Sequence, residues 1–231
     1  MLIIGHRGAA GLAPENSLEA FRAGFEAGAD ALELDVRLTA DKQLVVIHDA
    51  LLLRTHGVAD SVAKLTYREI CEKTTAKPVP LLRDVLDEFF GKILLNIEIK
   101  GRKCTDPLME LLNNRYISHA KDWDNVLISS FKATELMRIR RKSKRANLAL
   151  LHHQNPFAFV AYHRYLKLTA VVFHRLYLNW LALEIARRAG IFIYTYTIDR
   201  PRALPNLEKR GVNGVVTNYP DKCLDFLKKH V

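Results

Sequence analysis

The fold of the chain is best predicted from one stretch, Ala31-Leu32-Glu33-Leu34-Asp35-Val36-Arg37. Aliphatic and polar residues alternate in it, so a β-strand would point Glu33, Asp35 and Arg37 to one face. The stretch Asn96-Ile97-Glu98-Ile99-Lys100 repeats the alternation. A strand on a protein surface would show the same pattern. When helices cover the outer face of a barrel, however, the polar face must look inward, and buried carboxylates are costly unless they are paired or bound to metal. We therefore interpret both strands as carrying polar groups into a common pocket.

Short β-branched segments alternate with amphipathic segments along the chain, which is typical of βα units around a parallel sheet. Nine segments fit this description, one more than a (β/α)8 barrel needs. Only four residues separate the second segment from the third, too few for a parallel crossover. The sequence therefore predicts a tight turn at this point and an irregular (β/α)8 TIM barrel. The predicted strands are residues 2–5, 31–38, 43–48, 93–99, 125–129, 147–151, 170–173, 191–195 and 214–217.

Helix signals occupy the intervals between these strands. Asn16 is predicted to cap the first helix with Glu19 as its partner three residues later, and Gly28 can end that helix. Further helices are predicted at residues 81–90, 134–141, 178–189, 201–210 and 221–229. The chain of 231 residues is close to the roughly 250 of one such barrel. We expect a single domain over residues 1–231, with a small insertion at about residues 50–80 over the barrel mouth.

The chain is basic, with a formal net charge of +10, which favours an anionic partner without choosing its class. Residues 138–145 carry much of this charge, either as a solvated helix end or as a patch that faces phosphate or lipid. Three cysteines without a pairing motif indicate a reducing compartment. No signal peptide or membrane-spanning segment is visible, so cytoplasmic residence is expected. No nucleic-acid-binding motif accompanies the basic residues, and no nucleic-acid partner is expected.

A metal site is predicted where the inward carboxylates meet. Glu33, Asp35 and Glu98 would form an oxygen-rich pocket for a hard cation such as Mg2+ or Ca2+, with Mn2+ as a further candidate. Zinc is disfavoured because no cysteine or HExxH-type pair accompanies these acids. The alternative is a salt-bridge cluster in which Lys100 and Arg37 neutralise the carboxylates.

Two histidines end apolar strands, in Ile4-Gly5-His6-Arg7-Gly8 and Val46-Ile47-His48-Asp49. A lone histidine at a strand end is more often structural. Here both would reach the barrel mouth, where catalytic groups collect, and imidazole can donate or accept a proton near neutral pH. A phosphodiester resists attack because its charge repels nucleophiles and its leaving alkoxide is poor. A metal cation and a guanidinium group would offset the negative charge of the phosphate, and an imidazole acid would protonate the leaving alkoxide.

With these motifs in place, the sequence resembles the glycerophosphodiester phosphodiesterase family, in order and spacing, over nearly the whole chain. The first hundred residues are the specific part. The resemblance rests on Gly5-His6-Arg7-Gly8, Pro14-Glu15-Asn16-Ser17, Gly28-Ala29-Asp30, Glu33-Leu34-Asp35-Val36, Leu44-Val45-Val46-Ile47-His48-Asp49, Val79-Pro80-Leu81-Leu82-Arg83-Asp84-Val85-Leu86, Asn96-Ile97-Glu98-Ile99-Lys100, Ser129-Ser130-Phe131 and Gly214-Val215-Val216-Thr217-Asn218-Tyr219-Pro220.

The resemblance implies a role for each of seven residues. Two departures from the family pattern are visible: Asn218 stands where Asp is usual, and Tyr196 stands where Trp is common. Both bear on substrate fit and site architecture more than on the reaction. The resemblance also implies an irregular barrel and an insertion that shapes the substrate entrance. By this similarity Glu33, Asp35 and Glu98 match the metal ligands, His6 and His48 the general acid and base, and Arg7 and Lys100 the residues that hold the phosphate.

The leading hypothesis is hydrolysis of a small-molecule glycerophosphodiester to sn-glycerol 3-phosphate and an alcohol. One alternative is action on lysophospholipids, with aromatic and apolar residues in 157–165 and 173–180 lining a lipid groove or else belonging to the core. Another is a non-catalytic barrel that binds an anionic metabolite or a partner protein. Four further histidines are expected in the core or on the surface rather than at a metal: His152, His153, His163 and His174.

Overall fold

The computed structural model describes residues 1–152 and 155–230. Eight parallel strands form a closed barrel, because the first strand pairs with the second as well as with the last. A ninth strand, β3, runs antiparallel to the end of β2 and lies outside the barrel. The predicted irregular (β/α)8 barrel is therefore confirmed. The strands are β1 Leu2–Gly5, β2 Ala31–Leu38, β3 Leu44–Val46, β4 Leu94–Ile99, β5 Val126–Ser130, β6 Asn147–His152, β7 Ala170–His174, β8 Phe192–Tyr196 and β9 Gly214–Thr217.

Side chains of the strands contribute to two apolar cores. A large core lies between the strands and the surrounding helices. A smaller one fills the inside of the barrel and includes Ile4, Leu127, Val172, Tyr194 and Val216. Because successive strand residues point to opposite faces, the same strands serve both cores. The inner core closes the barrel beneath the polar residues of β2 and β4.

Ten α-helices occur in the part of the chain that the structure describes, and four of them were not predicted: α2 and α3, within the expected insertion, and α5 and α7. The first helix is capped differently from the prediction: Ser17 is the N-cap and accepts a hydrogen bond from the amide of Ala20. Asn16 bonds to Asp35 instead, so the predicted pairing of Asn16 with Glu19 is wrong. The helices are α1 Leu18–Glu26, α2 Leu53–His56, α3 Tyr67–Lys73, α4 Leu82–Phe89, α5 Thr105–Arg115, α6 Ala133–Lys142, α7 Ala158–Leu166, α8 Trp180–Arg188, α9 Leu204–Lys209 and α10 Pro220–His230.

The segment predicted as an insertion contains α2, α3 and a short 3-10 helix at Val62–Lys64. It packs around an apolar cluster of its own that includes Val45, Leu52, Ile70 and Val79. The backbone amide of Val46 donates to the carbonyl of Pro80, which ties the end of the segment back to β3. The insertion is thus anchored beside the strand that leads to His48.

The basic run at residues 138–145 lies at the end of α6. Arg140 is buried and donates hydrogen bonds to backbone carbonyls of five residues. This side chain fastens the α6–β6 connection to the end of α7, which is a structural role. None of the described helices is long and apolar enough to cross a membrane.

Candidate active site

Three carboxylates converge at the carboxyl end of neighbouring strands. Glu33 and Asp35 lie on β2 and Glu98 on β4, and the strand register sets Asp35 opposite Glu98. One oxygen from each group lies within 4.8 Å of the others, and all three side chains are buried. The predicted convergence is therefore observed.

The carboxylates repel one another in a water-poor setting. Burial, followed by the charges of Asp35 and Glu98, raises the pKa of Glu33 well above its usual value. Burial and the charge of Asp35 raise the pKa of Glu98 to about 7. These shifts have the sign expected of desolvated like charges. A positive charge is needed if all three groups are to be ionised together.

Two cations contact this cluster. Lys100 Nζ lies 2.5 Å from Glu98 Oε1 and 3.5 Å from Asp35 Oδ1, and Arg7 Nε lies 3.4 Å from Asp35 Oδ2. Arg37 was the other cation suggested for neutralising the acids. It instead donates through Nε to the carbonyl of His48 at 2.7 Å. The salt-bridge alternative thus holds for Lys100 and is wrong for Arg37, which fixes the backbone at His48.

The Gly-His-Arg-Gly turn after β1 brings its backbone against the carboxylates. Arg7 has φ of 50°, and its amide donates to Glu33 Oε2 at 2.8 Å. Gly8 has φ of 85°, and a Cβ there would lie 2.5 Å from the backbone of Ala20. Glycine is therefore required for the turn to close over α1. The close approach places His6 and Arg7 beside the acids.

Asn16 holds the central carboxylate, a contact that sequence reasoning missed. Its Nδ2 donates to Asp35 Oδ2 at 2.9 Å, and the Asp35 amide donates to Asn16 Oδ1 at 3.2 Å. The run Asn16-Ser17-Leu18-Glu19 predicts a helix start because asparagine is a favoured N-cap. The φ of 57° at Asn16 turns the side chain toward β2 instead.

His6 is oriented by a chain of polar groups at the end of β9. Its Nδ1 lies 2.7 Å from Asn218 Oδ1, and Asn218 Nδ2 donates to Asp199 Oδ2 at 2.8 Å. Since the amide nitrogen faces Asp199, the oxygen must face His6 and accept from Nδ1–H. Nε2 is then the nitrogen left for a substrate. Burial, and next the charge of Arg7, lower the pKa of His6.

His48 is oriented by a carboxylate. Its Nδ1 lies 2.6 Å from Asp49 Oδ1, and Arg54 Nε donates to Asp49 Oδ2 at 2.5 Å. Arg54 also binds Glu15, which in turn accepts from Arg7. Burial opposes ionisation of Asp49, but the hydrogen bond from Arg54 prevails and lowers its pKa to about 2. Burial lowers the pKa of His48. This network connects the insertion to the turn after β1.

All seven sequence-predicted site residues meet at one place. A cavity of about 690 Å³ opens there, and six of them line it together with Phe131, His174 and Tyr196. Asp35, the seventh, is 1% exposed and is bound by Arg7, Asn16 and Lys100. The six that line the cavity are His6, Arg7, Glu33, His48, Glu98 and Lys100.

The other histidines lie in different settings. His152 is buried and its ring contacts those of Phe159 and Phe173, and burial lowers its pKa to about 4. His163 is half-buried on α7, and His153 lies outside the described residues. His174 lines the cavity and packs edge-on against Tyr196. Tyr196, noted above as a departure from the family pattern, donates through its hydroxyl to the carbonyl of His152.

Known proteins resemble this chain over almost its whole length. A glycerophosphodiester phosphodiesterase of Caldanaerobacter subterraneus is 31% identical over 99% of this chain and 98% of its own length. Lysophospholipase D GDPD1 of Rattus norvegicus is 27% identical over 97% of this chain and 85% of its own. A solved phosphodiesterase of Oleispira antarctica, in complex with the product sn-glycerol-3-phosphate, superimposes with a TM-score of 0.86 at 22% identity, covering 99% of this chain and 97% of that one.

The profile of the family described as "Glycerophosphoryl diester phosphodiesterase family" matches residues 6–222. The match begins at His6 and covers every residue of the candidate site. The chain therefore belongs to the glycerophosphoryl diester phosphodiesterase family.

Proposed function

We propose that this enzyme hydrolyses glycerophosphodiesters to sn-glycerol 3-phosphate and an alcohol, with a divalent cation and His6 and His48 as general acid and base. One observation carries the proposal: three carboxylates, two imidazoles and two cations converge on a single cavity. The substrate class is supported by a relative that is a glycerophosphodiester phosphodiesterase. The Oleispira antarctica phosphodiesterase holds sn-glycerol-3-phosphate as its product, which supports the same product here.

The donor set fits a hard divalent cation. Three buried carboxylates face only two contacting cations, Arg7 and Lys100, within the described residues. Oxygen donors of this kind suit Mg2+, Ca2+ or Mn2+. Glu33, Asp35 and Glu98 would hold the ion, which supplies charge stabilisation to a phosphoryl oxygen when bound. The ion would also relieve the repulsion that raises the pKa values of Glu33 and Glu98.

Arg7 and Lys100 would bind the phosphate. Both line the cavity and both are already ion-paired to the carboxylates, so each side chain is held at the cavity wall rather than free in solvent. A guanidinium and an ammonium group at fixed positions stabilise the charge that develops on the phosphoryl oxygens. Prior ion-pairing means that little side-chain entropy is lost when substrate binds.

The two histidines differ in the group behind them. A carboxylate, Asp49, stabilises an imidazolium on His48, whereas the neutral amide of Asn218 gives His6 no such charge. This difference favours His48 as the proton donor to the departing alkoxide. His6 Nε2 would accept the proton of the nucleophile, either water or the neighbouring glycerol hydroxyl. The negative phosphate of a bound substrate raises the pKa of a nearby imidazole and so supports the protonated form of His48.

The test is a coupled assay for released glycerol 3-phosphate, run across several headgroups with Mg2+, Ca2+ or Mn2+ and again with EDTA. Metal-dependent release is expected for the wild type, and a loss of at least about a hundredfold for His6→Ala and His48→Ala. His163→Ala, half-buried on α7 and away from the cavity, is the matched control. Failure of the wild type to release glycerol 3-phosphate from any diester with each metal would refute the proposal.

A second candidate is hydrolysis of lysophospholipids. The rat relative carries the name lysophospholipase D, and exposed apolar side chains follow β7 beside the cavity. Turnover of glycerophosphocholine and of lysophosphatidylcholine under the same conditions separates the two candidates. Cytoplasmic residence stays a prediction from the sequence.

A further inference from the structure

The barrel mouth carries exposed apolar side chains on one side. Eight of the thirteen exposed large apolar residues in the described part of the chain lie in the connections after β6 and β7, and five of these eight precede α7 or lie between β7 and the first residues of α8. Two of them, Leu176 and Trp180, are 74% and 73% exposed, more than any other in that group. Exposed large apolar side chains that are grouped and bordered by polar residues mark an interaction site, whereas scattered ones do not. We name this set the apolar rim; it comprises Phe157, Leu176, Tyr177, Trp180 and Leu181.

The apolar rim is continuous with the substrate cavity. His174 and Arg175 line the cavity, and Leu176 and Tyr177 follow them directly in a 3-10 helix at Arg175–Tyr177. The ring of Tyr177 contacts His174, whose ring packs against Tyr196 inside the mouth. A molecule that covered the apolar rim would therefore lie beside the phosphodiester site.

Cations outnumber anions beside the apolar rim. Arg175 lies on the rim itself and is exposed. Glu184, one turn into α8 from Trp180, is paired with both Arg187 and Arg188. A surface that covered the rim would therefore meet a net positive charge, which attracts anions.

A basic cleft lies on the other side of the mouth. It has a volume of about 570 Å³ and is formed by segments that follow β2, β4 and β5. No acidic residue of the described chain is among those that line it. Since the carboxyl ends of all parallel barrel strands lie at one end, the basic cleft and the apolar rim face the same direction. Arg37 and Lys100 belong to the active site described above, so the exposed cations of the cleft are Lys42, Arg102, Lys103 and Lys132.

We infer that this end of the barrel docks on an anionic lipid surface. The apolar rim would enter the interfacial region, where tryptophan, tyrosine and leucine side chains are stabilised. The basic cleft would lie over anionic headgroups. Exposed apolar side chains with cations nearby match the interface of an anionic membrane better than they match the groove of a partner protein. Docking would present the cavity to phosphodiesters within the lipid layer. This consequence for the substrate class rests on the proposed function, but docking itself does not.

The test is co-sedimentation of the full chain with vesicles of phosphatidylcholine alone or mixed with phosphatidylglycerol. Binding is expected only to the mixed vesicles and is expected to weaken with added salt. The double variant Leu176→Ser with Trp180→Ser should bind at least about tenfold more weakly. Tyr165→Ser, which removes a 52% exposed side chain at the far end of α7, is the matched control and should bind as the wild type does.

Trp180 also reports on its own position. The chain has two tryptophans, and Trp123 is buried at 5% exposure. Lipids brominated in their acyl chains should quench the fluorescence of the wild type but not that of Trp180→Phe. Absence of vesicle binding by the wild type, or equal binding by the double variant, would overturn the inference. A change of oligomeric state in the double variant without a change in vesicle binding would assign the apolar rim to contact between copies and would also overturn it.

The activity assay separates this inference from the proposed function. The double variant should hydrolyse soluble glycerophosphocholine at the wild-type rate and lose at least about tenfold only on a lysophospholipid presented in mixed vesicles. Vesicle binding by a protein that hydrolyses no diester would leave docking intact and refute the proposed function. Full activity on soluble diesters without vesicle binding would refute docking and leave the proposed function intact.

Discussion

Asn218 Oδ1 lies 2.7 Å from His6 Nδ1, so an amide stands behind the first histidine of the site. The amide is itself fixed by Asp199 at 2.8 Å. The second histidine, His48, has the carboxylate of Asp49 in the equivalent place. Two imidazoles that line one cavity therefore differ in how well their protonated forms are stabilised. This difference is the basis for the roles proposed above.

Asn218→Ala should reduce kcat by about tenfold to a hundredfold with little change in KM, because His6 loses the group that sets its tautomer and orientation. Asn218→Asp should keep the acceptor for His6 Nδ1 but lose the donor to Asp199, and the added negative charge should raise the pKa of His6. The acid limb of the kcat profile should then move to higher pH. Steady-state kinetics between pH 5 and 9 measures both effects.

Asn206→Ala, a substitution in α9 away from the cavity, serves as the control for these two variants. An unchanged kcat in Asn218→Ala would show that His6 needs no orientation by the amide. An Asn218→Asp profile that coincides with the wild-type profile would exclude His6 from the acid limb.

Asp49→Asn should move the alkaline limb of the kcat profile to lower pH. The Asp49 carboxylate stabilises the imidazolium of His48, so its removal lowers the pKa of His48. The protonated form of His48 is then lost at a lower pH, and activity falls with it. The control is Asp60→Asn in the same insertion, where the carboxylate pairs with Lys73. A shift of the acid limb in place of the alkaline limb would assign His48 as the base.

Glu98→Gln should weaken Mn2+ binding by more than about a hundredfold, since loss of an outer-shell partner alone costs about 10–100-fold. The substitution removes one of three carboxylates from the cluster while keeping its size. Calorimetric titration of the metal-free protein measures the affinity. Glu72→Gln, at an exposed site on α3, should bind Mn2+ as the wild type does. Equal affinities in the two variants would place the metal elsewhere.

Arg140→Met should lower the free energy of unfolding by about 2–4 kcal/mol, because five backbone carbonyls lose a buried donor. Denaturant unfolding followed by circular dichroism measures the change. Arg141→Met alters the exposed neighbour and should change stability by less than about 0.5 kcal/mol. Comparable losses in both variants would mean that the carbonyl contacts of Arg140 contribute little.

The strands and the carboxylate cluster could be predicted from the sequence because both depend on local alternation. Once Glu33, Asp35 and Glu98 are assigned to inward faces of neighbouring parallel strands, closure of the barrel brings them together. The extra strand β3 could also be predicted, since four residues cannot make a parallel crossover.

The contacts that orient the site could not be predicted, because they join residues far apart in sequence. Asn16 has the features of a helix cap, and only the fold reveals Asp35 as its partner. Asn218 was recognised as a departure from the family pattern, but its position behind His6 depends on β1 and β9 pairing at the barrel closure. Arg37 alternates with the site carboxylates, yet the segment that follows β3 brings the carbonyl of His48 within hydrogen-bond distance of it.

The metal position tests the account most directly. Crystals soaked in Mn2+ and measured for anomalous scattering should show one peak bonded to oxygens of Glu33, Asp35 and Glu98, within the cavity that His6 and His48 line. A peak bound elsewhere, or no peak between these carboxylates under conditions in which the enzyme turns over, would contradict it.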